Sequence, residues 1–149
     1  MKQVTIYTDG ACSGNSGPGG WAAILDYKGV EKELSGGIAY TTNNCMELTA
    51  VIKALQVLKE RCNVDLFSDS KYIVDAIEKG WAHNWQKNNW IKSDKKQAAN
   101  SDLWEILLKE LERHKVKFHW VKGHACNERN NRCDKLAVAE CRKFEKQSR

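Results

Sequence analysis

The sequence predicts an α/β domain built around a mixed five-stranded sheet with helices packed on it. Three strand-like segments near the N-terminus are joined by short turns, and such connections make an antiparallel meander. Two later strands each follow a helix, which allows a crossover connection and a parallel arrangement with the first strand. With 149 residues, 42% of them hydrophobic, the chain is expected to fold as one domain, and its composition excludes intrinsic disorder.

The first strand, Val4-Thr5-Ile6-Tyr7-Thr8-Asp9-Gly10, is expected inside the sheet. Its side chains alternate between two faces, and neither face is clearly polar, as expected of a strand covered on both sides. The glycine-rich turn that follows, 14–20, lacks the Gly-x-x-x-x-Gly-Lys-Ser/Thr order of a phosphate-binding loop and leads into a strand. A nucleotide-binding loop is therefore excluded at this position.

The remaining elements follow from hydrophobic periodicity and from cap and turn residues. Thr41-Thr42-Asn43-Asn44 supplies N-cap chemistry for a helix whose apolar residues recur every three or four positions. The predicted segments are strands at 21–27, 30–38, 64–68 and 115–121, helices at 46–61, 72–77 and 101–114, a polar loop at 122–131 and a last helix that begins at Asp134.

Two aspartates, Asp9 and Asp69, each stand at the end of a predicted strand. The carboxyl ends of neighbouring parallel strands meet at one sheet edge, where open α/β sheets tend to bind ligands, so we expect these carboxylates close together. They would repel each other unless one is protonated or a cation lies between them, and hard divalent cations prefer oxygen ligands. Two structural alternatives stay open: Asp9-Gly10 is also an ordinary turn signal, and Glu47 in the first turn of a helix is also stabilised by the helix dipole.

Residues 79–96 differ in composition from everything before them. They hold Trp81, Trp85 and Trp90 among five lysines and one acid, a local net charge of +4. Aromatic surfaces interleaved with lysines suit nucleic acid, through phosphate contacts and packing on sugars or bases. A short helix with core tryptophans and solvated lysines explains the same composition equally well.

The whole chain carries a formal net charge of +5, which suits a polyanionic partner without identifying one. No apolar run approaches the ~20 residues that span a bilayer, and Met1-Lys2-Gln3 leads directly into a strand, so we expect a cytoplasmic protein. The six cysteines include no Cys-x-x-Cys pair and are expected to be reduced. A zinc site of His124, Cys126 and Cys133 is disfavoured, because structural zinc sites need four ligands at closer paired spacings.

Several motifs occur in order along nearly the whole chain. They are Tyr7-Thr8-Asp9-Gly10-Ala11-Cys12 with Gly14-Asn15, Thr41-Thr42-Asn43-Asn44-Cys45-Met46-Glu47-Leu48, Ser68-Asp69-Ser70, Trp81-Ala82-His83-Asn84-Trp85 with Trp90, Asp102-Leu103-Trp104, Trp120-Val121-Lys122-Gly123-His124 and Asn130-Asn131-Arg132-Cys133-Asp134. Together they resemble type 1 ribonuclease H in its bacterial form. The resemblance implies a ribonuclease H-like fold over 1–149, with a basic protrusion at about 79–100 and a C-terminal helix and short tail at about 131–149.

The resemblance also implies an endonuclease that cuts the RNA strand of RNA–DNA hybrids, largely independently of sequence, and leaves 5′-phosphate and 3′-hydroxyl ends. Its four-carboxylate site falls on Asp9, Glu47, Asp69 and Asp134, with two Mg²⁺ ions, or Mn²⁺ as a substitute, bound during catalysis. By analogy with the family, Asp9 bridges both ions, Asp134 completes the nucleophile side, and Glu47 and Asp69 hold the leaving-group side. His124 resembles the family's histidine that assists proton transfer or product release, although a loop histidine can also simply be solvated.

Hybrid-binding residues are implied in the same way. Only RNA offers a 2′-hydroxyl, so residues that reach the minor-groove side of the RNA strand can demand ribose next to the cut. The family pattern places there Cys12, Asn15, Asn43, Glu47 and Lys71. Thr42 and Asn15 resemble part of a pocket for a DNA-strand phosphate, and the tryptophans and lysines of 79–96 resemble a protrusion that grips the DNA strand. The full predicted set is Cys12, Asn15, Thr42, Asn43, Asn44, Lys71, Trp81, Trp85, Lys87, Lys95, Lys96 and Asn130.

Four positions depart from the commonest bacterial pattern. Cys45 stands where Arg is frequent, Lys71 where Gln is frequent, and Cys126 and Asn131 where Gly and Glu are frequent. The first two bear on hybrid affinity or ribose selection and the last two on the mobility of the histidine loop, and none removes a predicted metal ligand.

Two other functions stay open. One is a hybrid-binding module without catalysis, and the other is a DNA-cutting nuclease of the same superfold, such as an integrase- or junction-resolvase-like enzyme. A monomer is expected, because nothing in the sequence resembles a coiled coil or a dimer seam.

Overall fold

The computed structural model describes residues 1–14, 16–122 and 127–147 and confirms the predicted α/β fold. The elements, in chain order, are β1 (Lys2–Cys12), β2 (Gly17–Tyr27), β3 (Val30–Thr41), α1 (Asn43–Gln56), β4 (Cys62–Ser68), α2 (Lys71–Glu78), α3 (Trp81–Lys87), α4 (Ser101–Arg113), β5 (Lys115–Trp120) and α5 (Glu128–Gln147). The strands form one sheet in the order β3-β2-β1-β4-β5. The β1–β2 and β2–β3 pairs are antiparallel, and the β1–β4 and β4–β5 pairs are parallel, as predicted.

Strand β1 lies at the centre of the sheet and is covered on both faces, as its sequence predicts. Val4 and Ile6 belong to the larger core, which α1, α2 and α4 build on one face. On the other face, Tyr7 packs with Cys133 and Ala137 of α5 in a smaller cluster. The burial of both faces fixes where the acidic end of β1 lies.

Two helix boundaries lie farthest from their predicted positions. Helix α5 begins at Glu128, six residues before Asp134, because the Asn127 side chain accepts a hydrogen bond from the Asn130 backbone N–H (3.1 Å) and caps the helix. Helix α1 ends at Gln56 instead of continuing to Arg61. Asp134 therefore lies in the second turn of α5, on a helix that is already formed.

The glycine-rich segment also differs, because Gly17–Gly20 belongs to β2 and was wrongly predicted to be a turn. A Cβ atom at Gly20 would lie 2.1 Å from the Ala137 carbonyl oxygen and 2.7 Å from the Cys141 backbone nitrogen. Glycine is therefore needed here for the close approach of α5 to the strand.

Residues 79–96 contain both core-packed and exposed tryptophans. Trp85 stacks edge-on against Trp104 (5.9 Å between ring centroids) and packs against the core, whereas Trp81 remains 39% exposed. The lysines of the segment are exposed.

The part of the chain that the structure describes contains no helix long and apolar enough to cross a membrane.

Candidate active site

Three of the four predicted carboxylates lie together at the edge of the sheet. Asp9 is in β1, Glu47 in α1 and Asp69 immediately after β4, and each offers an oxygen atom within 4.8 Å of the others. Asp9 and Glu47 are 5% and 3% exposed, and Asp69 is half-buried. The cluster thus gathers three separate elements around one small volume.

Gly10 explains how β1 and α1 come this close. A Cβ atom there would lie 2.6 Å from the Glu47 backbone nitrogen, so a side chain would push the helix away. The Gly10 N–H donates to Asp9 Oδ1 (2.9 Å) and to Glu47 Oε1 (3.1 Å). Because α1 begins at Asn43, Glu47 lies beyond its first turn, and the helix dipole does not account for this carboxylate.

The cluster is electrostatically costly in the absence of a cation. Burial, followed by the charge of Asp69, raises the pKa of Asp9 to about 8. Burial, followed by the charges of Asp9 and Asp69, raises the pKa of Glu47 well above its ordinary value. Glu47 Oε2 is also buried without a hydrogen-bond partner. Oxygen donors that are buried, crowded and incompletely satisfied are a suitable ligand set for a hard divalent cation.

Asp134, the fourth predicted carboxylate, lies on α5 beside Asp9 and outside the group of three. Its proximity and its negative charge both add to the elevation of the Asp9 pKa. The neighbouring Cys133 is buried against β1, with its Sγ 3.3 Å from the Tyr7 carbonyl oxygen. The structure therefore brings Asp134 next to Asp9, as the order of elements requires.

Several of the residues predicted to bind the hybrid surround one cleft. Asn44, Trp81 and Trp85 line it together with Tyr72 and Lys92, in a volume of about 510 Å³. Lys87, Lys95 and Lys96 lie on the same segment of the chain and are exposed, whereas Thr42 is the N-cap of α1 and accepts a hydrogen bond from the Cys45 backbone N–H (3.2 Å).

The residues predicted on the RNA side lie at the starts and ends of other elements. Cys12 ends β1, with its Sγ 3.4 Å from the Thr41 carbonyl oxygen, and Asn43 begins α1. Lys71 begins α2. Asn130, also predicted to bind the hybrid, lies in the first turn of α5, and its side-chain oxygen is buried without a hydrogen-bond partner among the described residues. His124, Asn15 and Cys126 lie outside the described residues, so their predicted roles, including the disfavoured zinc site, stay predictions.

Two residues beside these surfaces were not predicted as site residues. Strand alternation places Trp120 on the same face of β5 as Phe118, but Trp120 is 48% exposed, whereas Phe118 is 4% exposed. It ends the edge strand β5, donates from Nε1 to the Asp69 carbonyl oxygen (3.2 Å), and lies 5.7 Å from Lys71 Nζ, measured to the ring centroid. Its place at the carboxyl end of a strand parallel to β4 was the available signal. Tyr72 was assigned only to the apolar side of α2, although it also lines the cleft.

The geometry agrees with comparisons against known proteins. A family model described as RNase H matches residues 1–142. The chain is 60% identical over 139 residues to a ribonuclease H of Desulforamulus reducens, covering 93% of this chain and 87% of the relative. It is 58% identical over 142 residues to a ribonuclease H of Chlorobium phaeovibrioides, covering 95% of this chain and 97% of the relative.

Solved structures agree. LC9-RNase H1, a type 1 RNase H with the type 2 active-site motif, superposes with a TM-score of 0.85 at 30% identity, over 97% of this chain and 74% of that one. LC11-RNase H1, solved in complex with an RNA/DNA hybrid, superposes with a TM-score of 0.70 at 25% identity, over 94% of this chain and 97% of that one. The chain therefore belongs to the ribonuclease H family, as a bacterial type 1 member.

Proposed function

We propose that this protein is an endoribonuclease that hydrolyses the RNA strand of RNA–DNA hybrids with bound divalent cations, largely independently of sequence. The observation that carries the proposal is the buried cluster of Asp9, Glu47 and Asp69, in which Glu47 Oε2 lacks a partner, in a chain of the ribonuclease H family. A structural role does not require three carboxylates to be crowded at low exposure, because each would be more stable in water.

The proposed cofactor is Mg²⁺, two ions with substrate bound, with Mn²⁺ as a substitute. Asp9, Glu47, Asp69 and Asp134 would hold the ions. When bound, such ions activate a water molecule for attack on the scissile phosphate and stabilise the leaving 3′-oxygen. This yields a 5′-phosphate and a 3′-hydroxyl.

The chain's own residues prepare the site before any ion binds. The Gly10 N–H holds one oxygen of Asp9 and one of Glu47, and Glu47 Oε2 has no hydrogen-bond partner among the described residues. Asp134 brings a carboxylate from the opposite side of β1. His124 is proposed to move a proton or to assist product release, because an imidazole exchanges protons near neutral pH.

Substrate binding is proposed to divide between two surfaces. The cleft of Asn44, Trp81 and Trp85, with exposed lysines on the same segment, would take the DNA strand through phosphate and sugar contacts. The RNA strand would lie near the ends of β1, α1, α2 and α5, where its 2′-hydroxyls distinguish it from DNA. The residues proposed there are Cys12, Asn15, Asn43, Lys71 and Asn130.

We also propose that residues 1–149 form a single ribonuclease H domain that acts as a monomer. The family match over 1–142 and the single sheet that α1 and α5 cover on opposite faces support this assignment. The cytoplasm is the proposed location, because a bacterium keeps its genomic nucleic acid there.

The test is cleavage of an RNA–DNA hybrid labelled separately on each strand, with Mg²⁺, with Mn²⁺ and with a chelator, alongside duplex DNA and duplex RNA. We expect metal-dependent cutting of the RNA strand of the hybrid alone, and loss of cutting in Asp9→Asn, Glu47→Gln, Asp69→Asn and Asp134→Asn. Hybrid binding without cutting would replace the proposal with a binding module, and cutting of duplex DNA would replace it with a DNA nuclease of the same superfold.

A further inference from the structure

Arg129, in the first turn of α5, contacts all three strands of the antiparallel meander. Its guanidinium pairs with Asp26 of β2 (Nη2 to Oδ2, 2.8 Å) and with Glu31 of β3 (Nε to Oε2, 2.9 Å). It donates from Nη1 to the hydroxyl of Tyr7 in β1 (3.3 Å), and its Cζ lies 5.4 Å from the centroid of the Tyr7 ring. One side chain thus joins the start of a helix to three strands.

Arg132, one turn later, extends the same network. Its Nη1 pairs with Glu31 Oε1 (3.0 Å) and its Nη2 with Glu33 Oε2 (2.7 Å), so Glu31 is shared between the two arginines. Together these arginines and their acidic partners form what we term the α5 clamp: Arg129, Arg132, Asp26, Glu31 and Glu33.

The clamp is not explained by helix stability. A positive charge in the first turn of a helix interacts unfavourably with the helix dipole, and Asn127 already caps α5. Arg129 and Glu31 are 38% and 28% exposed, and ion pairs with that much solvent contact stabilise a fold only weakly. What the forked geometry does provide is a fixed position, because a planar guanidinium with three oriented partners leaves little freedom to rotate.

The position that the clamp fixes is that of Asp134, which follows Arg132 by two residues in α5. Tyr7, the β1 partner of Arg129, precedes Asp9 by two residues and points to the same face of the sheet. The clamp and the Asp9–Asp134 contact therefore join the same helix to the same strand at neighbouring points. A shift of α5 along the sheet would change both together.

We propose that Arg129 is a positioning residue that holds α5 in register with β1, so that Asp134 stays beside Asp9 for cation binding. The proposal rests on the proposed four-carboxylate metal site and adds to it a device outside that site. Removal of Arg129 is expected to weaken cation binding through Asp134 more than it weakens contact with the hybrid.

The test compares Arg129→Gln, Arg129→Lys and Glu31→Gln with a matched control, Arg113→Gln. Arg113 is also an ion-paired arginine on a helix, but it pairs with Glu110 within α4 and donates to the Leu58 carbonyl oxygen. Four quantities are measured: Mn²⁺ binding to hybrid-free protein by titration calorimetry, the Mn²⁺ concentration for half-maximal cleavage, KM for the hybrid at saturating Mn²⁺, and the urea midpoint of unfolding.

We expect Arg129→Gln to raise the Mn²⁺ dissociation constant and the Mn²⁺ concentration for half-maximal cleavage by roughly threefold to tenfold. This is less than the roughly 10- to 100-fold typical of losing a direct hydrogen-bond partner of a metal ligand, because Arg129 acts on Asp134 only through the position of α5. The hybrid KM should rise less than these Mn²⁺ quantities do, because Asn130 alone among the described residues proposed to bind the hybrid lies on α5, and the urea midpoint should move no further than in Arg113→Gln. Arg129→Lys should recover part of the Mn²⁺ affinity by keeping the charge, and Glu31→Gln should weaken it in the same direction.

Unchanged Mn²⁺ affinity in both Arg129→Gln and Glu31→Gln would overturn the proposal, as would an equal loss in Arg113→Gln. If Arg129→Gln does not fold, the Mn²⁺ affinity of Glu31→Gln, a change on the exposed hairpin, decides whether the clamp positions Asp134. A wild-type protein that binds Mn²⁺ but cuts no hybrid would refute the proposed function, and calorimetry would still decide the role of Arg129.

Discussion

Replacing Asp9 with Asn should make the metal-free protein more stable while abolishing catalysis. Asp9 is buried beside Glu47 and Asp69, and its ionised form is disfavoured there. Asn has nearly the same shape, can still accept the Gly10 N–H through its side-chain oxygen, and carries no charge. The substitution therefore removes repulsion without opening a cavity.

The expected gain in unfolding free energy follows from the shift in the pKa of Asp9. The ordinary value of 3.8 rises to about 8 in the folded protein, a difference of about four units, or about 5 kcal/mol once Asp9 is fully ionised. Glu47 can take up a proton in place of Asp9 and relieve part of the same repulsion, so we expect about half of this, roughly 2–3 kcal/mol at pH 8.

The direction of the pKa shift of Asp9 also determines how the stability of the protein depends on pH. Because the folded pKa of Asp9 is the higher one, the folded state binds more protons than the unfolded state between about pH 4 and pH 8. Wild-type stability should therefore fall as the pH rises through this window. Asp9→Asn does not lose this stability. The difference in unfolding free energy between the two proteins should therefore grow from near zero at pH 4 to its full size at pH 8.

Urea unfolding in a chelator, at intervals from pH 4.5 to pH 8.5, measures this difference. Glu112→Gln, which neutralises an exposed carboxylate of α4, serves as the control and should show no such growth. Equal stabilities of wild type and Asp9→Asn at pH 8, or a difference independent of pH, would refute the reasoning. Saturating Mg²⁺ should narrow the gap, since a cation replaces the missing protons in the wild type only.

Three further predictions concern other parts of the molecule. Burial lowers the pKa of His114 below its usual 6.5, so the contribution of this residue to stability should fall as the pH drops through 6.5, against the gain that Asp9 gives in the same range. The difference in unfolding free energy between wild type and His114→Gln should therefore change between pH 7 and pH 5, to the disadvantage of the wild type, and a constant difference would contradict this. Gly20→Ala places a Cβ atom against the Ala137 carbonyl oxygen and should cost roughly 2–4 kcal/mol of unfolding free energy, whereas an unchanged urea midpoint would show that α5 can shift freely. Replacing Lys95 and Lys96 with Gln should weaken hybrid binding and lower the slope of log affinity against log salt by up to about 2, and an unchanged slope would assign these lysines to solvation.

Local patterns in the sequence were enough to predict the sheet and the meeting of the carboxylates. Period-two alternation with apolar residues on both faces identified β1 as an interior strand, and connection lengths separated the antiparallel meander from the parallel pair. Since parallel neighbours end at the same edge, the approach of Asp9 and Asp69 followed without knowledge of any side-chain position. The assignment of Glu47 and Asp134 to the site came from the family resemblance.

The errors lie where contacts distant in sequence decide the structure. Gly17–Gly20 has the composition of a turn, but pairing with β1 and β3 makes these residues part of β2, and the approach of α5 requires glycine at Gly20. The start of α5 was hidden because 122–131 is uniformly polar, so no periodicity marks the helix and the cap at Asn127 is visible only in the fold. Trp120 fits the alternation of β5, yet it ends an edge strand and remains exposed beside Asp69.

The stability and the metal affinity of this protein both depend on the electrostatic repulsion among the buried carboxylates. The three carboxylates of Asp9, Glu47 and Asp69 cannot move apart. Asp9 lies in β1, Glu47 in α1 and Asp69 directly after β4, and side chains beside them, such as Ile6 and Leu48, are wholly buried. Relief of their repulsion by movement would break core packing, which leaves protons and cations as the remaining means of relief. A change that lowers the repulsion should therefore stabilise the metal-free fold and weaken cation binding together, whereas a change that only displaces a carboxylate, such as loss of the α5 clamp, should weaken cation binding without that gain in stability.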